Sequence, residues 1–383
     1  MPVAPAGCFV CHGKCPMRIT PKTKFLILFD TPKGGYGHQY AYDCVPRIVG
    51  EMGYIVRILG ATNMTFDSYR QTVSDFGPDM IFCFLQQPLE VIKVAGFLKD
   101  YRPAPAVNWY LEDPNGVVSG GNGTHILDAT ACFDYWFSQD AGMQRFWKTR
   151  SAFMPPAFDD SIYKDYELER VYDVSYIGRL GPSYVTEMYW PYMKELAQYG
   201  ERAMMCVDRP MGIPLLPKPL EKFIRSKKRR KFLQSLPFWK CCWTNPADEK
   251  EKCYIINQSK IHFGMVRLRG EWETAFRQLL PDYPLDKHGL FYQLKGRLFQ
   301  AVGAGAMALN EYCPELEELF EIGKEIITFE FGNVEEVREK LLWYLAHDAE
   351  RQRIARAGYE RGRKHHTFTA RIQQIFDIVQ KEL

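Results

Sequence analysis

Two cations open the stretch from Lys295 to Tyr312, KGRLFQAVGAGAMALNEY. Lys295 and Arg297 lead into an apolar turn with Phe299, and cations beside the exposed N–H groups of a helix start are suited to phosphate oxygens. As a bland alternative, each is a surface cation at a helix start. Gln300 follows, then a small run, Ala301–Ala306. Its Gly303 and Gly305 permit close helix–strand or helix–ligand approach, and packing glycines would look the same. Met307–Leu309 reads as a short strand ending in Asn310–Glu311. The stretch is therefore expected to be a helix that starts beside phosphates, packs on a sheet and hands over to a strand.

Positioning such a helix takes a sheet, and the chain carries the pattern for two. Lys24–Asp30 is a continuous apolar run with an acidic end, as in a strand buried on both faces. A Gly-rich loop, Gly34-Gly35-Tyr36-Gly37-His38, leads to a helix reaching Met52 and stopped by Gly53. Pro46 makes that helix kink or begin there. Strands are expected at 54–59, 80–84, 106–111 and 131–137, with helices at 66–76 and 89–99. Residues 153–160 read as a linker. A second series runs from the strand 171–178, closing on Gly178-Arg179, through a helix near 186–199. It resumes at 253–262 and continues through the 295–312 stretch to a strand at 326–329. Asn333 and Glu336 suit a capping box, and the last helices span 348–363 and 367–383. Alternating strand and helix is the signature of a parallel sheet covered on both faces. The expected class is α/β: two Rossmann-like, doubly wound domains at 22–165 and 166–366, a tail at 1–21 and a last helix at 367–383. Ligands of such sheets bind beyond the carboxyl ends of the strands, which places the site in the cleft between the domains.

Composition narrows the class. The 383 residues are 46% hydrophobic and 25% charged, enough for large cores. No apolar run reaches the roughly 18 residues of a membrane span, and no signal peptide is read, so the expected location is the cytoplasm. A net charge of +3 does not by itself imply nucleic acid. Most of the 11 cysteines suit buried thiols in a reducing compartment. Cys8, Cys11, His12 and Cys15 cluster in a Pro- and Gly-rich leader; they read as a mobile tail or a zinc or iron–sulfur site. Residues 209–253 break the alternation as a basic, aromatic insertion. Lys227, Arg229, Arg230 and Trp239 there, with Trp109 in the first domain, are the candidate acceptor or partner surface. Its partner would be a peripheral membrane, an acidic acceptor or nucleic acid; a solvated basic helix is the bland reading.

The motifs point to one chemistry. The loop GGYGHQ misses the G-x-G-x-x-G spacing of dinucleotide enzymes, and neither a P-loop nor a G-x-S-x-G elbow occurs. A cleft enzyme transferring a group from a nucleotide diphosphate fits best. From about Tyr172 to Ile375 the chain resembles the group 1 glycosyltransferases of the spore-maturation (CgeB) type. The matching pieces, in order, are YDVSYIGRL, NQSKI at 257–261, LKGRLFQAVGAGAMALNEYCPELEELF, GKEIITF and AGYERGRKHHTFTARIQQIF. Residues 22–165 resemble the companion half more loosely, through the Gly-rich loop and NWYLEDP.

The resemblance implies the two-domain GT-B fold, with the last helix crossing back to the first domain. It implies a nucleotide sugar on the second domain and an acceptor glycan, protein or other polymer on the first. Gly178 and Arg179 match the family's phosphate-side Gly-Arg. The lysine that often follows is missing, with Ser183 and Tyr184 near its place, so Lys295 or Arg297 would take over its charge. Many relatives carry a glutamate where Gln300 stands, and its usual acidic partner upstream would fall at Tyr292. A glutamine carbonyl still accepts a ribose hydrogen bond, without charge. Glu311 would meet the ribose or sugar, or cap the next helix. Gly34, Gly35 and Gly37 would lie near the donor phosphates. His38 is the candidate for proton transfer and Asp113 the candidate base. No Asp-x-Asp pair occurs, so no metal or cofactor is expected beyond the donor. Two rivals stay open: a nucleotide-sugar-binding protein without turnover, and a nicotinamide-dependent oxidoreductase on twin Rossmann domains.

Overall fold

The computed structural model describes residues 17–30, 39–112, 117, 123–178, 183–207, 242–243, 246, 248–268 and 277–383. The Cys8–Cys15 cluster, the Gly-rich loop with Gly34, Gly35 and His38, Asp113, Arg179, and Lys227, Arg229, Arg230 and Trp239 lie outside the described residues. Among those described, no helix is long and apolar enough to cross a membrane.

The first series comprises β1 (Lys24–Phe29), α1 (Gln39–Glu51), β2 (Ile55–Gly60), α2 (Phe66–Phe76), β3 (Met80–Phe84), α3 (Pro88–Asp100), β4 (Ala106–Tyr110), α4 (Gly123–Ala129), β5 (Tyr135–Ser138) and β6 (Ser151–Phe153). Its sheet has the order β2-β1-β3-β4-β5-β6, every pair parallel. Because both faces are covered, β1 shows no polar alternation: Phe25 and Ile27 face one core, Leu26 and Leu28 the other. Pro46 lies inside α1, so the helix does not begin there. β5 starts later than expected, because Thr130–Cys132 forms a 3₁₀ turn in which Thr130 Oγ1 donates to the Leu127 carbonyl at 2.7 Å.

The second series comprises β7 (Tyr172–Gly178), α5 (Ser183–Ala197), β8 (Ala203–Val207), β9 (Cys242–Trp243), α6 (Glu249–Asn257), β10 (Ser259–Gly264), β11 (Arg267–Leu268), β12 (Phe291–Tyr292), α7 (Gly296–Gly303), β13 (Met307–Glu311), α8 (Leu316–Leu319), β14 (Ile327–Phe329), α9 (Val334–Ala346), α10 (Asp348–His365) and α11 (Phe368–Glu382). The order β14-β13-β10-β7-β8-β9 is again all parallel, and β11 pairs antiparallel with β12. Asn333 caps α9 by accepting from the Glu336 N–H at 3.1 Å.

Among the described residues, the outgoing and the returning passage of the chain between the two domains meet at one place. Ala157 belongs to the first core and Phe158 to the second. Phe158 pairs with the returning chain as a short bridge: its N–H donates to the His366 carbonyl at 3.1 Å, and Phe368 N–H donates back at 2.9 Å. Phe368, Ile372, Ile375, Phe376 and Val379 then form one face of α11, buried in the first core. Phe376 stacks on Phe25 with centroids 4.7 Å apart. This return helix overturns one expectation. Trp109 is not on a surface: it is 0% exposed, packed edge-on to Phe84 and Phe368, with Nε1 donating to the Met154 carbonyl at 3.1 Å. Phe376→Ala should cost roughly 3–5 kcal/mol through loss of burial and the cavity left behind. A denaturant titration of the full chain would show this as a lowered midpoint, and an unchanged midpoint would mean that α11 does not stabilise the first domain.

Candidate functional site

In a parallel sheet the helices run back against the strands, so helix starts lie at the strands' carboxyl ends. There α7 begins, beside Gly178 at the end of β7. A Cβ on Gly178 would come within 2.2 Å of Arg297 Nη1. The missing side chain is thus the room that the guanidinium occupies. Arg297 Nη1 donates to Tyr176 Oη at 2.8 Å, and the guanidinium carbon lies 5.4 Å from the Tyr176 ring centroid. Lys295 occupies the N-cap of α7. An ammonium is a donor and cannot accept from the first-turn N–H groups. Those groups and two cations therefore converge at one point, an arrangement suited to an anion.

Lys295 also looks across to the other sheet. Burial pushes its ammonium down to about 7, against the opposing pull of Glu112, with Arg297 lowering it further. Glu112 follows β4 at the carboxyl end of the first sheet, so this electrostatic contact spans the crevice. The Lys295 ammonium donates to the Gln293 side chain.

Gln300 lies one turn deeper in α7 and is buried. Its Nε2 donates to Glu249 Oε2 at 3.2 Å. Glu249 opens α6, behind the N-cap Asp248, and also receives Tyr163 Oη and the Lys252 ammonium. Beneath them His262 bonds to Ser175 Oγ at 2.9 Å. Burial, with Arg297 and Lys252 nearby, pushes this imidazole down to about 3, which keeps it neutral and unsuited to proton transfer at neutral pH.

Comparison with known proteins bears on the fold. Residues 220–377 match the family model described as glycosyl transferase-like. Similar solved structures include sucrose-phosphate synthase from Thermosynechococcus elongatus, 10% identical with a TM-score of 0.61 over 94% of this chain and 99% of that one. Anabaena Alr3699/HepE in complex with UDP and glucose is 14% identical, with a TM-score of 0.59 over 93% and 99%. An alpha-glucosyltransferase in complex with UDP and a mismatched DNA is 14% identical, with a TM-score of 0.63 over 94% and 100%. The fold is GT-B. No curated protein sequence matches the chain significantly.

Within the GT-B crevice the structure brings together Gly178, Lys295 and Arg297, with Gln300 behind them. It separates three other residues from that group. Gly303 ends α7 at the opposite edge of the sheet, where a Cβ would come 2.6 Å from the Phe158 ring; its role is packing at the crossing. Gly305, at φ +76°, precedes β13 at that same edge, and its carbonyl accepts from Arg170 at 2.9 Å. Glu311 does end its strand at the crevice, but it is 0% exposed and taken up by protein groups. Arg267 Nη1 donates to it at 2.6 Å and Val266 N–H at 2.9 Å, with Tyr189 Oη also 2.9 Å away. It is half of a buried ion pair.

Sequence reasoning missed Glu249, Tyr176, Glu112 and Arg267. Only Glu112, inside NWYLEDP, carried a local signal, as an acid at a strand end. It also missed the segment from 277 to 292, which leaves the second domain and buries Leu280, Tyr283 and Phe291 in the first core. Tyr283 Oη donates to Asp140 at 2.5 Å. Burial raises the Asp140 carboxyl to about 7, although Tyr283 and the N–H groups of Met143 and Gly142 pull it down; Glu315 adds to the rise.

Two outcomes follow from this geometry. Gly178→Ala would press on the Arg297 guanidinium and on the hydroxyl of the buried Tyr176, 2.7 Å from the new Cβ, so it should move the cation at some cost in stability. It should weaken pyrophosphate binding about tenfold, ~1.4 kcal/mol, in a calorimetric titration; unchanged affinity would show that Arg297 does not hold the anion. Asp140 binds its proton more tightly folded than at its unfolded value of about 3.9. Its contribution is therefore full below about pH 4 and is lost as pH rises through about 7. Asp140→Asn should flatten the stability of the protein across that window relative to the parent, as read by melting temperature against pH.

Proposed function

We propose that the protein is a glycosyltransferase that moves a sugar from a nucleotide diphosphate to an acceptor hydroxyl, without a divalent ion. The observation that carries this is the convergence of Lys295, Arg297 and the start of α7 beside Gly178 in a GT-B crevice. As the acceptor oxygen bonds to the anomeric carbon, the bond from that carbon to the phosphate oxygen breaks. The departing diphosphate keeps the electron pair, and its growing charge is met by the two cations and the helix N–H groups. Supplying this charge from the protein is what supports metal independence. The acceptor proton goes to a base from the first domain, for which Asp113 and His38 remain our candidates, with Arg179 and the Gly34-Gly35 loop beside the phosphates. Similar structures hold UDP, which makes UDP the first nucleotide to test. The CgeB-type subgroup, a cytoplasmic location and an acceptor surface at Lys227, Arg229, Arg230 and Trp239 belong to the same proposal.

A second reading, binding without transfer, rests on Gln300 standing where relatives carry an acid. Glu249 answers it in part, since its carboxylate lies against Gln300 Nε2.

Lys295 gives the decisive test. Burial pushes its ammonium down to about 7, and a bound diphosphate favours the charged form, so binding takes up a proton. UDP affinity should fall as pH rises from 6 to 8, and Lys295→Met should be weaker and flat across that range. A melting-temperature screen over nucleotides in which none shifts the transition defeats the donor site. Binding without hydrolysis or transfer of a UDP-sugar, with and without EDTA, leaves the second reading.

A further inference from the structure

We propose that a cleft between the interdomain linker and α10 binds a phosphate-class dianion, at the edge of the second domain opposite the crevice. The cleft has a volume of about 290 Å³, near the lower end, about 300 Å³, of small-molecule pockets. Arg170, Lys260, Arg351 and Arg356 line it, with Tyr359, against a single lining carboxylate, Asp165.

Two of the cations are fixed before any ligand arrives. The Arg170 guanidinium donates to the carbonyls of Gly305 at 2.9 Å, Ser259 at 3.1 Å and Ile256 at 3.3 Å. The positive φ of Gly305 belongs to the turn that presents its carbonyl there. Arg351 is 4% exposed and donates to the Tyr344 carbonyl at 3.1 Å and to Asp348. Side chains already ordered cost little further entropy on binding. The cations do have carboxylate neighbours: Lys260 meets Asp173 at 2.8 Å, Arg356 meets Glu360 at 2.7 Å and Arg170 approaches Asp165 at 3.7 Å. Of these acids only Asp165 lines the cleft, so the cleft surface itself is cationic. Burial lowers Arg170, Asp165 opposes this, and the like charge of Arg351 lowers it further. An anion between the two guanidiniums would relieve that repulsion.

The position gives the site a consequence. Arg170 and Asp165 lie on the linker that has just left the Phe158 crossing, and Arg351 and Arg356 lie on the helix that leads back to it. An anion held by both would tie the outgoing chain to the returning one beside the crossing.

The test is calorimetric titration of the full chain with inorganic phosphate and with glycerol phosphate, at constant ionic strength against a chloride control. Saturable binding is expected. Arg356→Gln should weaken it about tenfold, the loss of one charge-assisted hydrogen bond, and the exposed Arg356 can be changed without disturbing the fold. Asp165→Asn should tighten binding, which a purely structural cluster would not do. Tighter binding of the monoester identifies a phosphorylated metabolite; equal or tighter binding of inorganic phosphate identifies the free ion. The proposal is overturned if neither probe saturates, if chloride does the same, or if affinity ignores both Arg356→Gln and Asp165→Asn.

Discussion

The geometry of the crevice depends on one buried cation, Arg267. It is 2% exposed, follows β10 at the carboxyl edge of the second sheet, and is gripped by Glu311 at 2.6 Å and Asp286 at 2.5 Å. Its guanidinium also lies over the rings of Tyr292 and Phe331. Burial opposes the charge, but the two carboxylates outweigh it and hold Arg267 above its ordinary value. Breaking such a cluster strands a charge in the interior, at about 3–5 kcal/mol. More depends on it than stability. Asp286 belongs to the segment that buries Leu280 and Tyr283 in the first core, and that segment runs on through Tyr292 to Lys295. The ion pair therefore ties the strand ends of one sheet to a strap inserted in the other. It also fixes where α7 begins.

That dependence explains why Glu311 misleads at the level of sequence. An acid at the carboxyl end of a strand is where a ligand contact is expected in a doubly wound fold. Here the same position serves the frame of the site, because Arg267 reaches it first. Gln300 is the complementary case. It carries no charge of its own, yet a carboxylate lies 3.2 Å from its amide, supplied by Glu249 from the start of another helix. Tyr163 and Lys252 hold that carboxylate, and Lys252 and Arg297 both bear on His262. A carboxylate from the neighbouring helix thus stands beside Gln300, behind the two cations.

The fold was legible because its signals are local. The apolar runs of β1, β3 and β7, the stop at Gly53 and the Asn333 cap each act within a few residues of themselves. Gly178 and the cation pair were legible for the same reason, as a strand end and a helix start. The glycines after α7 were not. Gly303 is small because Phe158 packs on it, and Gly305 because its φ is +76°; both causes lie far away in sequence or in a backbone angle. Trp109 shows the same limit. Its burial comes from Phe368, a residue of the return helix more than two hundred positions later. The strap at 277–292 carried no periodic pattern, since its apolar residues are spaced to reach into another domain's core and not to line one face of its own element.

The crossing at Phe158 and Thr367 binds these features into one mechanical unit. Both passages of the chain between the sheets meet there as a two-bond bridge, and α11 fastens the returning passage to the first core. The strap makes a separate connection on the crevice side, through Tyr283 and Asp140. Among the described residues the bridge and the strap both join the two domains, and the strap leads directly to Lys295 and Arg297. The strap is held by the burial of Leu280, Tyr283 and Phe291 in the first core as well as by the Tyr283–Asp140 hydrogen bond. Of the two connections, the bridge is made by backbone pairing and the strap by apolar side chains buried in the first core, so the crevice is framed on both sides by contacts that belong to the cores.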